Sequence, residues 1–228
     1  MRYRSLLQII PLLACHLLLA DSFKSGAFLK AGAGQNNAQL ERTVLIENNI
    51  DVTESLQTAL SGFTASVAVG YTYNYSNIWA TSVSLSFEPN TIDVTETITL
   101  DNSNTNNLSE KTIIELNNTL GAMATIGYAI STDTILSLSA GYSRASLNVH
   151  YKETLKAINI DNEQSINGFS FGLSMSTQIN EQLILDLSAE IRHYEKYELN
   201  GTGNANYTAK LSIEPYVSNI SVTATYYI

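Results

Sequence analysis

Cysteine occurs once in the 228 residues, at position 15. Removal of the N-terminal segment on export would leave none, which excludes disulfides, thiol catalysis and thiolate metal sites. Basic residues are scarce as well: 12 Lys and Arg stand against 21 Asp and Glu, for a net charge of -9. So acidic a chain is not expected to bind nucleic acid. Histidine occurs three times, and no glycine-rich phosphate loop or zinc-spaced pair appears, so neither a cofactor nor a metal is expected. Charge of either sign is missing from residues 63–87, 116–132, 134–143, 164–180 and 215–228.

Those charge-free stretches are patterned. From Phe63 to Tyr75 one face carries Phe63, Ala65, Val67, Val69, Tyr71, Tyr73 and Tyr75, and the other Thr64, Ser66, Ala68, Gly70, Thr72 and Asn74. A period of two describes a strand with one apolar and one polar face. The alternation returns at 79–87, 120–130, 136–142, 169–175, 183–191 and 220–228. Strands of about 10 alternating residues separated by turns are the mark of a transmembrane β-barrel. A soluble β-sandwich alternates too, but its second face would meet water and carry Lys, Glu and Asp. Here that face carries Ser, Thr, Gly and Ala, which suits a narrow lumen.

The N-terminus reads as an export signal, with Arg2 and Arg4 followed by a mostly apolar Ser5 to Leu19. Ala20-Asp21-Ser22 places small residues where a signal peptidase reads, so residues 1–22 are assigned to the signal and 23–228 to the barrel. A competing reading takes Leu12-Leu13-Ala14-Cys15 as a lipoprotein box. Against it stands the apolar His16-Leu17-Leu18-Leu19, where a polar tether belongs.

Short links near 74–77, 131–133 and 180–182 alternate with long excursions centred near 50, 104, 157 and 204. The result is eight antiparallel strands, roughly 26–47, 55–75, 78–100, 110–131, 134–154, 164–179, 182–199 and 207–228. A tilted membrane strand needs only about 9 to 11 residues, so half of each arm should project from the bilayer as β-ribbon. Acids concentrate in those projecting arms, Glu88 and Glu115 among them, and aromatics gather where the apolar bands end, as an interfacial girdle requires. In the last strand the apolar residues switch from odd positions (Leu211, Ile213) to even ones (Ile220, Val222) beyond Pro215, which predicts a β-bulge there.

The export signal, the opening strand Ser25-Gly26-Ala27-Phe28-Leu29-Lys30-Ala31-Gly32-Ala33-Gly34 and the terminal Tyr226-Tyr227-Ile228 together resemble the small eight-stranded outer-membrane barrels of the Opa, OmpX/Ail and OmpA-domain type. The resemblance covers the chain after the signal as a pattern. It implies a monomer in the bacterial outer membrane, in contact with lipopolysaccharide and inserted by the barrel assembly machinery. The family usually ends in Phe or Trp, whereas Ile228 stands here.

On the inward face Lys30, Asp186, Glu190 and Arg192 are expected to form a lumen ion cluster, because charges in a dry, narrow space must pair. Ile-Asp-Val-Thr-Glu occurs twice, at 50–54 and 92–96, which marks Asp51, Glu54, Asp93 and Glu96 as candidate surface-interaction acids. Arg192-His193 resembles part of the lipid A deacylase motif, but Glu195 stands where that family places serine. The chain is therefore expected to be no enzyme. Two functions remain: a surface protein displaying acidic ribbons for adhesion to a host or matrix ligand, and a narrow pore for ions or small solutes.

Overall fold

The computed structural model describes residues 25–47, 52–76, 78–100, 108–153, 157–202 and 208–228. The signal segment, with Cys15 and both proposed processing sites, lies outside the described residues, as does Asp51. Among the described residues nine strands are present: β1 (Gly26–Glu47), β2 (Val52–Asn74), β3 (Trp79–Leu100), β4 (Leu108–Ala129), β5 (Thr134–Glu153), β6 (Ile158–Gln178), β7 (Leu183–Tyr194), β8 (Tyr197–Thr202) and β9 (Thr208–Tyr227). All pairings are antiparallel, and β1 closes the ring on β9 from Phe28↔Tyr227 to Glu47↔Thr208. Because β7 and β8 both pair with β9, end to end, they form one stave, and the ring has eight.

Tight links close the turn end of the barrel. The Ser76 hydroxyl accepts from the amides of Ile78 (3.3 Å) and Trp79 (3.1 Å). The Asn180 side chain accepts from those of Gln182 and Leu183, both at 2.9 Å. Such side chains cap turns by replacing a backbone partner.

Along each stave the inner face changes character at one level. In β5 the inward side chains run Ser137, Ser139, Gly141, Ser143, then Ala145, Leu147, Val149, Tyr151; the outward ones run Leu136, Leu138, Ala140, Tyr142, then Arg144, Asn148, His150. Below Ser143 the outside is apolar and the inside polar. Above it the arrangement is reversed, with Leu147 and Val149 fully buried. Lipid outside and water-sized space inside dictate the first order, and water outside dictates the second.

The same inversion explains β9 and corrects the expected bulge. Inward positions are odd throughout, from Leu211 and Ile213 through Val217 to Ser221 and Thr225. The register with β1 is unbroken over that length. What switches is polarity and not phase. The irregularity lies next door, where Tyr194, Glu195 and Lys196 of the seventh stave oppose only Glu214 and Pro215, since His193 pairs with Tyr216 and Tyr197 with Ile213. Further bulges fall in β3 after Glu88 and in β4 at Asn118, whose φ of 47° lies in the left-handed region that asparagine tolerates.

Above these bulges the ring splits. β2–β3 pairing ends at Val67↔Phe87 and β6–β7 pairing at Gly168↔Tyr194. The projecting arms therefore form two four-stranded sheets, β8-β9-β1-β2 and β3-β4-β5-β6, instead of four separate ribbons. Their inner faces share one apolar core. Leu40, Leu199, Leu211 and Ile213 come from one sheet, and Ile92, Ile114, Leu147, Val149, Ile158 and Ile160 from the other. Barrel and sandwich thus occur in one chain, stacked.

Below the split the outer surface is an exposed apolar belt that includes Phe63, Val83, Leu85, Leu138, Phe171, Ile220 and Val222. Aromatic pairs stand at both rims: Trp79 against Tyr128 (4.9 Å between centroids) at the turn end, and Tyr142 against Phe169 (5.8 Å) at the other.

Candidate functional site

At the level of the split every stave contributes one buried polar side chain: Asn36, Thr64, Glu88, Thr119, Ser143, Ser170, Arg192 and Asn219. Arg192, 4 % exposed, is the hub. Its Nη1 donates to Glu88 Oε2 at 2.7 Å and Nη2 to Glu88 Oε1, while Nε donates to Glu190 Oε1 at 2.7 Å and Nη2 to Glu190 Oε2 at 3.1 Å. A planar guanidinium with five donors suits two carboxylates at once. Around it Asn219 Nδ2 donates to Asn36 Oδ1 at 2.6 Å and Ser170 Oγ to Ser143 Oγ at 3.3 Å.

A second centre lies toward the turn end. Asp186 accepts from Thr225 (2.7 Å), Thr223 (3.2 Å) and Ser176, and pairs with Lys30 Nζ at 3.3 Å. The expected four-residue cluster is therefore two clusters at different heights. Lys30 and Asp186 meet, Glu190 and Arg192 meet, and Glu88 completes the second group. Glu88 is buried and inward, not among the projecting acids as expected, because its even position continues the inward series Ser82, Ser84, Ser86. Parity along β3 was the signal that could have found it.

Between the two centres lies a cavity of about 190 Å³ lined largely by serine and threonine hydroxyls. That volume holds several waters. Phe28 and Tyr227 (5.9 Å between centroids) and a Thr72–Tyr227 hydroxyl contact of 3.0 Å stand at its turn end. The Arg192 group stands at the other end, with the apolar core of the two sheets beyond it.

Of the remaining candidates, Asp93 alone has a described side chain. Asp93 is exposed on β3, opposite Glu115. Glu54 and Glu96 lie on β2 and β3 at register positions opposite Val44 and Thr112. The described part of the first pentapeptide copy, residues 52–54, and the second copy belong to different sheets. His193 Nε2 lies 2.7 Å from Glu214 Oε1, and His150 Nδ1 lies 2.9 Å from Asp161 Oδ1; both rings are exposed and neither lines the cavity. On the head, Lys210 Nζ stands 2.7 Å and Lys196 Nζ 3.6 Å from Glu198, and the hydrogen bond from Lys210 holds the Glu198 carboxyl below the usual carboxylate range.

The sequence profile of the outer membrane protein beta-barrel domain matches residues 11–226. The chain belongs to that family. It is an outer-membrane protein, and its apolar belt marks the bilayer. No curated protein sequence matches it. Among solved structures it is similar to the outer membrane protein OprG from Pseudomonas aeruginosa, with a TM-score of 0.51 at 11 % identity over 91 % of this chain and 99 % of that one. Neisserial surface protein A aligns with a TM-score of 0.44 at 13 % identity, covering 90 % and 98 % of the two chains. The Ail attachment invasion locus protein of Yersinia pestis, in complex with a heparin analogue, aligns at 0.38 and 9 % identity over 87 % and 99 %. At such identities the likeness concerns the fold.

Proposed function

We propose that this family member is a non-enzymatic surface protein whose barrel anchors a rigid two-sheet head, and that the head contacts molecules outside the cell. The observation that carries this reading is the apolar core seated over the lumen, which makes the projecting half a packed domain and closes the path above Arg192. The outward, carboxylate-bound histidines support a non-enzymatic role, since neither meets the polar cavity. A host or matrix ligand is the partner for the head; lipopolysaccharide and the barrel assembly machinery are the partners for the belt.

A narrow pore is the second reading, favoured by the hydroxyl-lined cavity. It needs a way past the Arg192 group and the core, which the packing opposes.

The test uses the register. Thr91 pairs with Asn117 across β3 and β4, so replacing residues 91–117 by an Asn-Gly turn trims one hairpin at its bulge. Cells with the trimmed protein should retain a heat-modifiable barrel but lose binding to host or matrix surfaces, and the intact protein should give no conductance steps in planar bilayers. Unchanged cell binding, or conductance by the intact protein, would overturn the reading.

A further inference from the structure

Arg144 stands on the outer surface of β5 where the apolar belt gives way to the head: the outward residue before it is Tyr142, and the next inward one, Ala145, already belongs to the head's buried core. In register it lies opposite Leu120 on β4 and Asn167 on β6. Its side chain is exposed and makes no hydrogen bond or ion pair among the described residues, whereas His193, the outward residue at the same level of β7, is bound to Glu214. Among the described residues no other outward Lys or Arg stands at this level. Neutral amides and hydroxyls surround the guanidinium instead: exposed Asn118 at the β4 bulge, Asn167 beside it, and the cross-strand pair Ser146 and Ser165 one step above. Below Arg144 the belt is hollowed. Ala124 and Ala140 face each other across β4 and β5, and Val83, Ile126, Leu138 and Phe171 stand around them, leaving an apolar groove of about 670 Å³. Four residues of β5 separate Ala140 from Arg144, about 13 Å at the rise of a strand.

We propose that this strip of the barrel wall is a discrete site for one phosphorylated glycolipid of the lipid A class, in the leaflet on the head side. Its phosphate pairs with Arg144, its sugar lies on the Asn118, Asn167 and Ser146 band, and one acyl chain runs down the groove over Ala140 and Ala124. Each part has its own physical reason. A guanidinium offers phosphate two parallel charge-assisted hydrogen bonds. The groove is continuous with the surface that meets the bilayer, so an acyl chain is its occupant, and a chain seated on the two alanines recovers dispersion contacts that an unfilled hollow forfeits. The neutral band matches sugar hydroxyls, which a diacylglycerol phosphate lacks.

This inference rests on the belt meeting lipopolysaccharide and gives that contact one place on the ring; it is independent of what the head binds. Full-length protein refolded in detergent is titrated with bisphosphorylated lipid A, with dephosphorylated lipid A and with phosphatidic acid, and retained lipid is read by native mass spectrometry. Lipid A should bind one to one, at least tenfold tighter than either control. Arg144→Gln and Ala140→Phe should each weaken it at least tenfold, and Arg144→Lys should recover part of the loss. Ala224→Phe, at an exposed belt position on the far side of the ring, should change nothing. All these side chains point outward, and heat-modifiable migration checks that each variant is folded. Equal binding of dephosphorylated lipid A would overturn the role of Arg144, and equal binding of phosphatidic acid would overturn the choice of a glycolipid. Lipid A retained alike by the parent, Arg144→Gln and Ala140→Phe would overturn the site while leaving a general belt contact standing. No retention by the parent would overturn both.

Discussion

Arg192 is held by two carboxylates and buried among polar side chains. Taking it away leaves Glu88 and Glu190 without their cation in a space of low dielectric, and removing one partner of a buried pair costs about 3 to 5 kcal/mol. Arg192→Ala should therefore lower the thermal midpoint far more than the triple change Glu88→Gln, Glu190→Gln, Arg192→Met, which leaves no charge in this group. Equal losses in thermal melts of the refolded proteins would show that the three do not act as a unit. On the head, Glu198 titrates lower in the folded chain than in the unfolded one because Lys210 donates to it. The stabilisation is present above the carboxylate range and is lost as pH falls through the lowered Glu198 value. The pair is solvent-exposed, so the effect is small. Lys210→Met should melt below the parent at neutral pH and converge with it in acid; a constant offset would refute the pairing.

Strand boundaries follow from features written locally in the chain: charge-free alternation, small polar turns and even spacing. Most of the eight expected staves agree with the observed ones within a few residues, the sixth beginning earlier, at Ile158. Two features were not legible for a physical reason. Alternation reports which parity is apolar, but inward and outward exchange meaning where lipid gives way to water, so the inversion in β9 looked like a bulge. The merging of four hairpins into two sheets depends on pairings such as Leu40↔Pro215, far apart in sequence. The shared core makes a quantitative claim on both sheets. Leu147→Ala removes a fully buried side chain and should cost about 2 to 5 kcal/mol, seen as faster amide exchange in β9 residues 209–217 across the core. If exchange accelerates only within β3 to β6, the two sheets do not share a core.

As a whole the molecule is one ring of staves crossing two solvents. Its lower half resembles a lipid-immersed tube with a polar interior, and its upper half a soluble sandwich. The candidate site was partly readable at this scale: parity placed Lys30, Asp186, Glu190 and Arg192 inside, but their division between two heights depends on stagger between staves. With its only cysteine at position 15, the chain suits single-cysteine scanning along β9 from residue 210 to 226. In proteoliposomes, the even positions 210, 214, 216 and 218 should react with a water-soluble thiol reagent and the even positions 220 to 226 should be quenched only by a lipid-phase probe, with odd positions protected throughout. A change of parity between 213 and 220, with odd positions 211 and 213 reacting with the water-soluble reagent, would contradict the unbroken stave and the sealed head built upon it.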